Sequence, residues 1–149
     1  MRLAPVSIAS LDADFTTIQE MASASACTTH GAPLAVACTQ VFSHMLICAM
    51  KGESKERILN AEFPFAVQES YKDEAMEHWI ANPMEEVLTS VLEGSYRDSN
   101  PPDIVASGFS VKALEAALWA FHSTSSFEEG CLKVGLPLLP PMPMLQHKV

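Results

Sequence analysis

Basic residues are scarce in this chain: nine Lys and Arg stand against 18 Asp and Glu, a formal net charge of −9. No run of Lys or Arg makes a local exception. Affinity for a phosphate backbone comes from clustered positive charge that releases counterions, so nucleic acid is not an expected partner. Long apolar runs are also missing. The longest, Val41 to Met50, is interrupted by Ser43 and His44 and is about half of what a bilayer-spanning helix needs. It reads as a buried helix, and no membrane partner is expected. The first residues hold one Arg and then Pro5, without the positive start, apolar middle and small-residue cleavage site of a secretory signal; a cytoplasmic location is the expectation. The four cysteines, Cys27, Cys38, Cys48 and Cys131, form no C-x-x-C pair. Each sits in an apolar or small-residue context, so buried structural thiols are expected over metal ligands or a disulfide, because a thiol packs as a small hydrophobe. No strand-like alternation and no internal repeat competes with a helical reading.

What is present is helical period in a chain that is 48% hydrophobic. Asp12 and Asp14 precede Phe15, Ile18, Met21 and Ala22, which predicts a helix running to about Cys27. Pro33 followed by Leu34, Cys38, Val41, Met45, Cys48 and Ala49, with Gly52 just beyond, predicts a long helix with proline in its first turn. That helix is apolar nearly all round and should be central. Val87, Leu88 and Val91 mark a third helix over Met84–Leu92. Val111, Leu114, Leu118 and Phe121 mark a fourth, with Trp119 and Phe121 read as core. Ser126 and Glu129 have the spacing of a capping box and open a fifth. The fold class expected is all-α, with about five to seven helices. Gly94 to Gly108 has turn formers and no period and reads as an ordered loop or a linker. The last stretch, Gly135 to Val149, carries four prolines and unpatterned apolar residues and reads as an irregular tail.

Three segments carry a resemblance. Met1-Arg2-Leu3-Ala4-Pro5 is the first, and Ser25 through Thr29-His30-Gly31-Ala32-Pro33 the second. The third runs from Glu93-Gly94-Ser95-Tyr96-Arg97 through Ser107-Gly108-Phe109 to Leu114–Phe121 and Ser126-Phe127-Glu128-Glu129. In this order and spacing they resemble the ADP-ribosylglycohydrolase family, which includes the dinitrogenase reductase-activating glycohydrolases. The resemblance covers residues 1–134 as a partial helical domain, the middle part of the family fold, with 55–82 least similar and 135–149 outside it. It implies an all-helical hydrolase that cleaves the glycosidic bond linking ADP-ribose to a protein or small molecule with the help of two Mg²⁺ ions. It also implies ADP-ribose or an ADP-ribosylated protein as partner. By the same resemblance His30, Ser107, Gly108, Phe109 and Arg2 fall at substrate-binding positions.

The metal ligands of the family lie in an N-terminal acidic cluster and a C-terminal Asp-Ala-Asp motif, and neither stands in its expected place. Asp12-Ala13-Asp14 spells the motif, but its position before an apolar-periodic helix reads as a helix start, where acids favour the dipole. No catalytic and no metal-binding residue is therefore assigned, and Mg²⁺ is not expected on this chain. An inactive hydrolase is the expectation, with a non-catalytic ADP-ribose-binding or helical interaction module as the alternative. For His30 the plain alternative is a helix-end residue bonded locally; Phe109 divides between packing and stacking on a base.

The tail has a second reading. Pro141-Met142-Pro143-Met144-Leu145 requires CCN ATG CCN ATG and a Leu codon, and a one-base shift of frame turns this into GAT GCC GAT GCT for suitable choices of N. That translates as Asp-Ala-Asp-Ala. Residues from about Gly135 onward are accordingly expected to be an out-of-frame reading, and Met1 to correspond to an internal Met of the family, with the chain truncated at both ends.

Overall fold

A computed structural model describes residues 3–60 and 69–135. Arg2 and the tail beyond Gly135, with the reading of that tail as out of frame, lie outside the described residues. Among the described residues every regular element is helical: α1 (Leu3–Ala9), α2 (Phe15–Cys27), α3 (Pro33–Met50), α4 (Lys55–Leu59), a 3-10 turn at Glu69–Tyr71, α5 (Lys72–Ala81), α6 (Glu86–Glu93), α7 (Ser110–Ser123) and α8 (Phe127–Gly135). The expected all-α class holds. The chain divides into two compact units, Met1–Ser95 and Tyr96–Val149.

In the first unit α2 begins where the acidic pair predicts. Asp14 has extended backbone and its Oδ1 accepts the Thr17 N–H at 2.8 Å, satisfying one of the orphan donors of a helix start. That hydrogen bond holds the Asp14 carboxyl below its ordinary pKa. Asp12 is 3.3 Å from the Lys51 ammonium with its side chain 91% exposed, a surface pair of little energetic weight. The Asp12-Ala13-Asp14 triplet is a helix start.

Pro33 stands at the first turn of α3. This helix packs against α1, α2 and α4 and buries Cys38, Val41, Ser43, His44, Met45, Ile47 and Cys48. Counted from Pro33, α3 is long and apolar enough to cross a bilayer by length and composition alone, with 39% of its residues buried. Its buried polar groups are matched within the unit. The Ser43 and Ser7 hydroxyls, both fully buried, lie 2.9 Å apart. Ser7 donates to the Leu3 carbonyl at 3.4 Å, so the shared proton comes from Ser43.

Tyr71 fastens the start of α5 to the α1–α2 turn by donating to the Ala13 carbonyl at 2.6 Å. α6 buries Leu88, Val91 and Leu92, whereas Val87 is 38% exposed. It ends on Gly94 in left-handed backbone, φ 104°, whose N–H bonds the Ser90 and Val91 carbonyls. A Cβ there costs about 1–2 kcal/mol. Gly94→Ala is expected to lower the urea-unfolding free energy by that amount; unchanged stability would contradict the assigned cap.

The second unit begins with irregular chain that is nonetheless packed: Tyr96 and Ile104 are buried, and the Trp119 Nε1–H donates to the Ser99 carbonyl at 2.9 Å. This is an ordered loop. α7 buries Val111, Leu114, Ala116, Leu118, Trp119 and Ala120, while Phe121, expected in the core, is 42% exposed. α8 opens as its spacing predicts, with one change. Ser126 Oγ accepts the Glu129 N–H at 3.2 Å, but the Glu129 carboxylate reaches the N–H of Ser125, not of Ser126, at 3.0 Å.

Candidate functional site

The four described residues expected at a substrate site are all exposed and all lie at helix ends. In the first unit His30 follows α2. Its N–H donates to the Ala26 carbonyl at 2.8 Å, which is the local helix-end bonding of the plain reading, and its imidazole faces outward. In the second unit Ser107, Gly108 and Phe109 lead into α7. The Ser107 hydroxyl accepts the Phe109 N–H at 3.2 Å, which shapes the turn and leaves Phe109 47% exposed. Phe109 therefore does not serve as core. A Cβ added at Gly108 would meet nothing within 4 Å, so the fold itself does not require glycine there.

Among the described residues the acidic side chains do not make a cation site. Divalent Mg²⁺ needs converging oxygen ligands, yet Asp14 is engaged as a cap and Asp12 stands in solvent beside Lys51. Among the described residues no three His, Cys, Asp or Glu side chains come together in a group that could hold a metal. The described donor set does not fit a two-Mg²⁺ centre. The cysteines divide: Cys38 and Cys48 are buried, as expected, but Cys27 and Cys131 are exposed. Burial, with Glu53 nearby, pushes the Cys48 thiol up to about 11, which keeps it protonated and unreactive.

A concavity that sequence reasoning missed opens in the first unit. It is an open groove of about 500 Å³ lined by Phe15, Thr16, Gln19, Glu20, Ser23 and Ala24 of α2, Gln40 of α3 and His78 of α5. Phe15 is 3% exposed. Its ring stacks on that of His44 at 5.0 Å and meets the His78 ring edge-on at 5.7 Å. Burial, reinforced by the neighbouring His78, pushes His44 down to about 4, and burial also lowers His78. Two buried polar side chains here lack partners: both amide atoms of Gln19 and the Nε2 of His44. The signal for Gln19 was available. It stands on the stripe Phe15, Ile18, Ala22, at a position where helical period calls for an apolar residue.

A family model described as ADP-ribosylglycohydrolase matches residues 1–135. No curated protein and no solved structure gives a match.

Proposed function

The chain belongs to the ADP-ribosylglycohydrolase family, and from that membership we propose that it binds ADP-ribose, free or attached to a protein, without hydrolysing the glycosidic bond by itself. The observation that carries the reading is a pairing. The family match spans His30 and Ser107–Phe109, which are exposed and available to a ligand, while the described residues offer no carboxylate cluster for the cations of the family. Hydrolysis of this bond needs a water activated and a developing charge stabilised, which is what paired metal ions supply. Side chains that only position the substrate leave that barrier standing.

Titration calorimetry with ADP-ribose on the intact chain tests the binding. Gly108→Ala is the informative variant, because its added methyl meets nothing in the chain. It should melt with the wild type and bind ADP-ribose several-fold more weakly, and His30→Ala and Ser107→Ala should weaken binding likewise. No binding heat from the wild type, or wild-type affinity in all three variants, would sink the proposal. A second reading, a helical interaction module, is favoured by α8. None of its residues is buried, and Phe127 and Leu132 are 89% and 57% exposed.

A further inference from the structure

The α5 helix shows one side to its unit and another to solvent. Ala75 and Trp79 are 0% and 5% exposed, whereas Met76 and Ile80 are 39% and 68% exposed. Single apolar residues on a surface need no explanation, but these two stand four residues apart. That separates them by about 40° round the axis and about 6 Å along it, so they are neighbours on one face. Carboxylates flank the pair: continuing round the helix past Ile80 come Asp73, Glu77 and Glu74, all exposed. Among the described residues none of the three forms an ion pair. The helix dipole accounts for Asp73 and Glu74, which lie in the first turn and are favoured there. Glu77 lies beyond that turn, with like charges three and four residues before it, an arrangement that destabilises a helix. The acidity extends along the chain: between Glu69 and Glu93 the sequence holds seven Asp and Glu and, of Lys and Arg, only Lys72.

We propose that the Met76–Ile80 face of α5 docks a basic amphipathic helix of another protein, its apolar stripe against Met76 and Ile80 and its Lys or Arg side chains over Asp73, Glu74 and Glu77. Charge selects this occupant. A second copy of the chain would set these carboxylates against their like, and the net charge of −9 opposes that approach at longer range. An anionic surface is repelled for the same reason. A partner that brings cations relieves the repulsion at Glu77 and gains on its rate of association.

The shape of the face suits a helix. Two side chains at i and i+4 form a ridge of the kind that packs into the groove of a facing helix, and the flexible Met76 thioether adapts to what it meets. The face is also fixed before a partner arrives, which lowers the cost of binding. Tyr71, at the start of α5, donates to the Ala13 carbonyl at 2.6 Å, the His78 ring meets that of Phe15 at 5.7 Å, and Trp79 is buried. A contact centred on two apolar side chains is a weak, transient one, with affinity that depends on salt. None of these residues is among those to which ADP-ribose binding is assigned above, so either reading can fail without the other.

A synthetic 18-residue helical peptide with a leucine stripe flanked by lysines, and its counterpart with every lysine replaced by glutamate, test the proposal by fluorescence anisotropy against the intact chain. The wild type should bind the lysine peptide at least about tenfold more tightly than the glutamate peptide, and proton–nitrogen correlation spectra should place the shifted amides on α5. Ile80→Ser and Glu77→Lys should each weaken binding of the lysine peptide several-fold. Both positions are exposed, so both variants should melt with the wild type. Glu93→Lys, which changes the net charge as Glu77→Lys does but lies at the end of α6, should leave affinity within about twofold. Equal affinity for the two peptides, shifts confined to other helices, an Ile80→Ser chain that binds as the wild type does, or a Glu93→Lys loss as large as that of Glu77→Lys would each overturn it. Self-association of the wild type that Ile80→Ser abolishes would overturn it too, by assigning the face to a second copy. The comparison of peptides on the wild type holds whether or not a variant folds.

Discussion

Replacing Trp119 with alanine is expected to lower the stability of the Tyr96–Val149 unit by about 3–5 kcal/mol, the usual cost of truncating a buried tryptophan. Three contacts converge on this indole. It is 3% exposed against the rest of the α7 core, its Nε1–H holds the Ser99 carbonyl at 2.9 Å, and the Lys133 ammonium of α8 lies 4.4 Å from the ring centroid. The first contact carries most of the energy. The second fastens irregular chain that has no ladder or helix of its own, so its loss is felt before α7 begins. The third is worth about 0.5–1 kcal/mol, because Lys133 is partly solvated. Trp119→Phe should therefore cost about 1–3 kcal/mol, for the lost indole hydrogen bond and the smaller ring, and Lys133→Ala less. Chemical unfolding followed by hydrogen exchange of α7 amides gives these values; a Trp119→Ala cost below that of Lys133→Ala would contradict the assigned packing.

Acid should destabilise the first unit through His44. Its pKa falls from 6.5 in the unfolded chain to about 4 in the folded one, because a charged imidazole behind Phe15 would have lost its water. Folded His44 is neutral where unfolded His44 already binds a proton, so the unfolded state gains protons first and stability declines as pH falls. The contribution is full above about pH 6.5 and is lost progressively down to about pH 4. At 1.36 kcal/mol for each unit of pKa difference, the change is about 3 kcal/mol. His78, lowered by burial, acts in the same direction. Asp14, lowered from 3.8, loses its own contribution only below this window, so the two can be separated. Urea midpoints at pH 7 and pH 4.5 measure the effect. His44→Leu should flatten most of the dependence, since leucine also removes the unpaired Nε2; a variant as acid-sensitive as the wild type would assign the effect elsewhere.

How much of this was legible in the sequence depended on whether the signal was local. Asp14 before Phe15 and Pro33 before Leu34 located two helix starts because capping and proline chemistry act within one turn. α1 and α4 have seven and five residues, too few to show a period. Helices that short are held by tertiary packing, here of Leu3 and Ser7 and of Ile58 and Leu59. Phe121 was placed in the core because it continues the apolar spacing of α7. At about 100° per residue it falls on the far rim of that stripe from Trp119, and the core gathers on the Trp119 side. Cys27 is exposed as the last residue of α2, and Cys131 because α8 buries none of its residues.

The candidate site divided in the same way. His30 and Ser107–Phe109 came from resemblance in order and spacing, and their exposure fits ligand contact without specifying the ligand. The groove came from none of these signals. Gln19 and His44 interrupt apolar stripes, and a count of periodic hydrophobes passes over such residues. They stand out only once burial and hydrogen bonding are known, because an unpaired buried amide is conspicuous in a packed helix pair and ordinary in a sequence.

The central claim is binding without hydrolysis by a member of a hydrolase family. The most direct test incubates the intact chain with an ADP-ribosylated protein in millimolar Mg²⁺ and quantifies released ADP-ribose, with and without EDTA, using a preparation shown to bind ADP-ribose. The account predicts release no greater than the protein-free blank in both samples. Release above the blank that EDTA abolishes would contradict it, and would mean that metal ligands come from outside the described residues.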